Sequence, residues 1–161
     1  MAEYYAIGHD NAESLIDPAE VSSQDSVSLM FCGSGDARHL FATLLTLQAR
    51  EMKQKRPVCK DVHITILDLK PAALARTLVM FDMLCMYVSL KTSKVPGHED
   101  APAIMAYIYA GHVVPAVVNE KLQVHIAGLI TALDAGEPLF DDWFFMPAAT
   151  RKDVAQCLRR W

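Results

Sequence analysis

What this chain lacks narrows it first. Its four cysteines, Cys32, Cys59, Cys85 and Cys157, lie far apart and form no Cys-x-x-Cys pair. No disulfide framework is read from them, and a reducing compartment is the natural expectation. Cys32 and Cys85 stand in apolar runs, where a thiol is expected to behave as a small hydrophobe. The six histidines show no His-x-x-x-His or His-Glu-x-x-His spacing, so no metal site is assigned. The net charge of −4 comes from scattered acids, and the only basic cluster, Lys53-Gln54-Lys55-Arg56, reads as a solvated helix end. Nucleic acid is therefore not expected as a partner. No apolar run reaches the roughly 18 residues of a membrane span. The start, Met1 to Tyr5, has no basic region followed by an apolar stretch. The expectation is an intracellular protein, cytoplasmic or nuclear, with no membrane partner.

What is present is enough to fold. Apolar residues make up 52% and charged residues 21% of 161 positions, which argues against disorder over most of the chain and suits one domain. Residues 1–26 form a polar arm with turn signals at Gly8 and Asp17-Pro18, a linker at Ser22 to Ser26, and two tyrosines, Tyr4 and Tyr5, that should pack. Val27 to Cys32 is a short apolar run ending at glycine, the pattern of a strand buried on both faces. A helix follows from Ala37 to about Lys55, with Leu40, Leu44, Leu47 and Met52 in register and Pro57 as its stop. Val62 to Asp68 is a second strand rich in β-branched residues, leading through Pro71 into a helix over about 71–90. The core face of that helix is predicted as Leu74, Leu78, Phe81, Cys85 and Val88.

Beyond a polar loop from Lys91 to Pro102, centred on Pro96-Gly97, come Ile104 to Tyr109 and a helix from about Val117 to Ala135. An aromatic loop, Phe140 to Pro147, precedes a closing helix whose start, Thr150 to Asp153, approximates a capping box. No internal repeat is present. The fold class is thus α/β: a partial Rossmann-like, methyltransferase-like βαβα unit over 27–90, followed by a mostly helical segment over 91–161 packing on it as a single domain. Two strands make a poor sheet alone. Either further strands exist, with Val113 to Val118 the best candidate, or the chain associates with itself.

The chemistry gathers at two places. A strand running into Gly33-Ser34-Gly35 and then a helix lets backbone approach a ligand closely, although it also serves as a plain tight turn. Arg38 occupies the place of the third glycine of the dinucleotide fingerprint. Asp36, read in the first helical turn, would repel a pyrophosphate there. Asp68, at the end of strand two, suits the two hydroxyls of a ribose, or else is a helix N-terminal acid ahead of Pro71. As an exposed strand-end acid it should contribute little to stability. Gly33, Ser34, Gly35, Asp36 and Asp68 are the candidate cofactor-binding residues, and their shape and charge suit S-adenosylmethionine better than a nicotinamide dinucleotide. Ser34 lacks the Gly-x-Ser-x-Gly frame of a hydrolase nucleophile. Arg38 and Arg76 read most simply as helix-surface residues. The aromatics of Phe140 to Phe145 either cap a core, the favoured reading, or form a docking patch.

Leu29 to Arg38 and Ile66 to Arg76, together with Tyr5 to Gly8, resemble the DUF4470 domain, found in fungal proteins, some with a MYND zinc finger, and at the front of the dynein axonemal assembly factor 3 family. Members carry a Gly-Cys-Gly-Asp-x-Arg turn, and this chain has Ser34 in place of the central cysteine. The resemblance implies a methyltransferase-like Rossmann unit, often regarded as a scaffold or assembly domain, and it supplies no reaction, so no catalytic residue is assigned. No cysteine and histidine array of the MYND type is present, and strand one carries no acid before the glycine turn. The leading expectation is a noncatalytic assembly or interaction domain with a protein partner or a second copy. The alternative is an S-adenosylmethionine-dependent methyltransferase or cofactor-binding domain completed by further chain or a partner.

Overall fold

Alternation decides the first strand. In β1, Ser26–Cys32, Val27 and Phe31 are buried and Leu29 half-buried, whereas Ser28, Met30 and Cys32 are exposed. The computed structural model describes residues 11–17, 25–93, 100–110 and 113–161. β1 pairs in parallel with β2, Asp61–Leu67, with Val27 opposite Val62, Leu29 opposite Ile64 and Phe31 opposite Ile66. Partners in register share a face, so one face carries six apolar side chains and the other carries Ser26, Ser28, Asp61, His63 and Thr65 together with exposed Met30, Cys32 and Leu67. The expectation of a strand buried on both faces is therefore corrected. Ser26 and Ser28 already marked the outer face, but Met30 and Cys32 on the same side masked the alternation.

The chain divides into two compact units, Met1–Lys70 and Pro71–Trp161. In the first, helix α1, Arg38–Gln54, joins the strands and buries Leu40, Thr43 and Leu47. Leu47 packs in a cluster with Val27, Val58 and Cys59, flanked by Ile16 and Leu29. Met52, expected to extend the core stripe, is 71% exposed because it lies in the last turn before the chain leaves the helix at Lys55, whose φ is 55°. Of the arm, residues 11–17 are irregular and are tied to α1 by Leu15 N–H donating to Thr43 Oγ1 at 3.0 Å. Tyr4, Tyr5, Pro18 and the linker residues Ser22 to Gln24 lie outside the described residues.

The second unit is helical. Its helices are α2, Pro71–Ser93, α3, Asp100–Ala110, α4, Ala116–Ala135, and α5, Ala148–Leu158. α2 packs against the other three, and α4 and α5 pack against each other. Residues 75–80 of α2 are buried without interruption and Met83 is fully buried, while Cys85 and Val88 are exposed. The predicted single core face is corrected: over residues 75–80 the helix is enclosed on all sides, and beyond Met83 the expected face opens to solvent, so no single stripe describes it. Over Pro71–Ser89 α2 is also long and apolar enough, by length and composition alone, to cross a membrane, with mean hydropathy 1.4, although Arg76 and Asp82 interrupt the run.

α4 buries Leu122, Ile126, Leu129 and Leu133 at helical spacing and ends at Gly136 with φ 71°. The candidate strand Val113 to Val118 is not formed. Pro115 caps α4 instead, because its fixed φ suits a helix start, and Ala116 to Val118 are the first turn. Likewise Pro147 starts α5 before Thr150, so no capping box forms there. Pro96-Gly97 lies outside the described residues. The described residues thus form a mixed α/β protein, mostly helical, with two parallel strands and five helices.

Candidate functional site

The turn after β1 is a run of left-handed backbone. Gly33, Gly35 and Ala37 have φ of 65°, 53° and 59°. Glycine enters that region freely, and a non-glycine residue there costs about 1–2 kcal/mol. A Cβ added at Gly33 would meet nothing within 4 Å, and one at Gly35 would make only ordinary contact with the Gly33 carbonyl at 3.8 Å. These glycines answer a backbone requirement rather than a crowded approach.

The donors of the turn are used inside the same unit. Gly33 and Ser34 N–H groups donate to the Leu67 carbonyl at 2.8 and 3.3 Å. Gly35 N–H donates to Asp68 Oδ2 at 2.8 Å, and Lys70 N–H donates to Asp68 Oδ1, also at 2.8 Å. Ala37 N–H closes the turn on the Ser34 carbonyl at 2.7 Å. The end of β2 therefore clasps the end of β1, and Asp68 is the pin. It is half-buried and holds two backbone donors, which corrects the expectation of an exposed acid of little structural weight.

Asp36 is placed differently from its sequence reading. It precedes α1, whose first turn contains no acid, and its carboxylate is buried. Its Oδ1 accepts from Arg38 N–H at 3.2 Å and lies 3.5 Å from Arg38 Nε. Arg38 is thus a partner of Asp36 rather than a free surface residue, and Arg76 is buried, at 8% exposure. The left-handed Ala37 explains the shift, since it delays the helix past Asp36.

Beside the turn lies a recess of about 240 Å³ walled by Leu15, Met30, Phe31, Ser34, His39 and Leu40. Ser34 Oγ is buried and, among the described residues, has no hydrogen-bond partner. Ligand pockets for whole cofactors usually run from about 300 to 1,000 Å³. The recess matches a fragment of such a molecule. The structure thus brings Gly33, Ser34, Gly35, Asp36 and Asp68 together, but around each other.

A second polar group has no sequence signature. His125 Nδ1 on α4 lies 3.0 Å from Asp82 Oδ2 on α2. Burial pushes the Asp82 carboxyl above its ordinary range, and the attraction and hydrogen bond of His125 pull it part of the way back. Partial desolvation raises the Cys85 thiol even though the residue is exposed, and the Asp82 and Asp141 charges push it the same way, so Cys85 is a poor nucleophile. Cys32 and Cys85 are exposed and Cys59 is buried, which reverses the expected placement of the first two. Among the described residues no group of three or more metal-ligating side chains comes together.

The sequence profile of a family described as a domain of unknown function, DUF4470, matches residues 6–113. The chain belongs to that family. No curated protein and no solved structure matches it. Within the DUF4470 match lie both strands, the glycine turn, α1, α2 and α3, while α4 and α5 lie beyond it.

Proposed function

We propose that this DUF4470 chain is a noncatalytic interaction module on a methyltransferase-like βαβα frame. One observation carries the reading: the three successive N–H groups of Gly33, Ser34 and Gly35, which would cradle a cofactor, are all taken up by Leu67 and Asp68. A cofactor would have to break bonds that hold the two strands together. The open edges of a two-stranded parallel sheet suit a protein partner or a second copy, and the free cysteines suit an intracellular setting.

The alternative, an S-adenosylmethionine-binding domain completed by further chain or a partner, is favoured by the unpartnered Ser34 hydroxyl beside the recess. Thermal shift with S-adenosylmethionine and S-adenosylhomocysteine up to about 1 mM separates the two, since a ligand at 100 times its dissociation constant adds about 2.7 kcal/mol. The interaction reading expects no shift. A saturable shift overturns it.

A further inference from the structure

The loop between α4 and α5 presents an arrangement that the fold itself does not need. Phe140 is buried, and Trp143 stacks on it at 5.5 Å with an interplanar angle of 19°. The edges of Phe144 and Phe81 fix the same indole at centroid distances of 5.9 and 6.4 Å. Arg151 ties both ends of the loop, donating from Nε to the Met146 carbonyl at 3.1 Å and from Nη1 to the Glu137 carbonyl at 2.8 Å. The expected core cap is therefore present in Phe140. Yet Trp143 is 58% and Phe145 83% exposed, so the same loop holds two large rings in solvent at low conformational cost.

The ionisable side chains of the segment 137–145 itself have one sign, the Arg151 cation being spent on the carbonyls at its two ends. Glu137, Asp141 and Asp142 are exposed, no basic residue occurs between Glu137 and Phe145, and among the described residues neither Asp141 nor Asp142 has an ion pair. Asp141 stands in left-handed backbone with φ 45°, at the tip of a tight bridge between Phe140 and Asp142. Rigid exposed tryptophan beside unpaired carboxylates is complementary to a cation that is itself flanked by apolar surface: the cation lies over the indole face and the carboxylates neutralise it.

We propose that this loop docks a protein segment carrying an arginine or lysine next to an aliphatic side chain, with the cation at Trp143, Asp141 and Asp142 and the aliphatic group at Phe145. The proposal rests on the interaction-module reading and gives it a partner class. An acidic or purely apolar partner would leave the loop carboxylates facing like charge or a desolvated edge.

The test is fluorescence anisotropy of a labelled peptide of repeating Gly-Arg-Leu units, with the Gly-Glu-Leu counterpart as control, titrated with the full chain. The basic peptide should bind at least about tenfold more tightly than the acidic one. Combined Asp141→Asn and Asp142→Asn should weaken it about tenfold at low salt and flatten its salt dependence. Trp143→Ala should weaken it further, and Phe145→Ala, whose ring touches no other aromatic among the described residues, should do so without changing the melting temperature. Equal binding of the two peptides, no binding of the basic one, or binding indifferent to Trp143 and Phe145 overturns the proposal. So does a dimer, seen by sedimentation, that the same substitutions dissociate, since that assigns the surface to a second copy. A cofactor-induced thermal shift with basic-peptide binding intact would overturn the noncatalytic reading alone.

Discussion

The two compact units are held by different means. In Met1–Lys70 no residue of β2 is fully buried, and the strand is fixed by its ladder to β1 and by the clasp of Leu67 and Asp68 on the glycine turn. In Pro71–Trp161 the helix α2 is enclosed over residues 75–80, and α4 and α5 contribute Leu122, Ile126, Leu129, Leu133, Val154 and Leu158 to the same interior. Directional hydrogen bonds supplement a small apolar cluster in the first unit, whereas apolar burial dominates the second. The family profile covers the first unit but stops before α4, so it contains the whole clasp and only part of the helical core. What the matched segment has complete is the turn geometry.

That contrast predicts unequal costs for side-chain truncation. Met83, with no exposed surface, should lose about 2–5 kcal/mol when changed to alanine, the range for a buried side chain that leaves a cavity. Ile64, half-buried at the centre of β2, should lose about 1–2 kcal/mol, since part of its surface already meets water. Urea denaturation of both variants measures this. Equal losses would break the comparison and show that the sheet face is as well packed as the helical core.

The clasp gives the second test. Asp68→Ala strands the N–H groups of Gly35 and Lys70, and leaving such donors unsatisfied costs about 1–3 kcal/mol. Asp68→Asn keeps one acceptor oxygen and should recover about half of that loss. Identical stability of wild type and Asp68→Ala would mean the turn holds without its pin. Because the substitution acts on the fold, loss of ligand binding in Asp68→Ala cannot by itself identify a cofactor site.

The sequence made the backbone grammar legible. Gly33, Gly35, Pro57 and Pro71 each sit where a turn, a stop or a helix start requires them, and period and punctuation place both strands and all the longer helices, although the left-handed end of α4 at Gly136 carries no such reading. Burial was harder. An apolar run cannot say how many of its sides another element covers, which is why pattern alone makes β1 two-sided and α2 one-sided. The left-handed Ala37 is invisible too, since alanine ordinarily signals helix, and its effect was to move Asp36 out of α1. The roles of Asp68 and His125 depend on partners 33 and 43 residues away, and no local spacing encodes those distances.

The smallest expected effect concerns that last pair. Burial raises the Asp82 carboxyl more than His125 lowers it, so the folded chain holds this proton more tightly than the unfolded chain does. The contribution to stability is therefore full below the ordinary aspartate value, about 3.9, and is lost as pH rises through the raised folded value. An amide in place of the Asp82 carboxyl would not titrate and would still offer His125 an acceptor. Asp82→Asn should consequently gain on wild type as pH climbs from the ordinary aspartate value through the raised folded one, by a small margin for a partly exposed group. Urea midpoints across that window read the difference. If wild type gained on the variant instead, attraction to His125 would outweigh desolvation, and this polar contact between α2 and α4 would be an anchor of the helical unit rather than a tolerated cost.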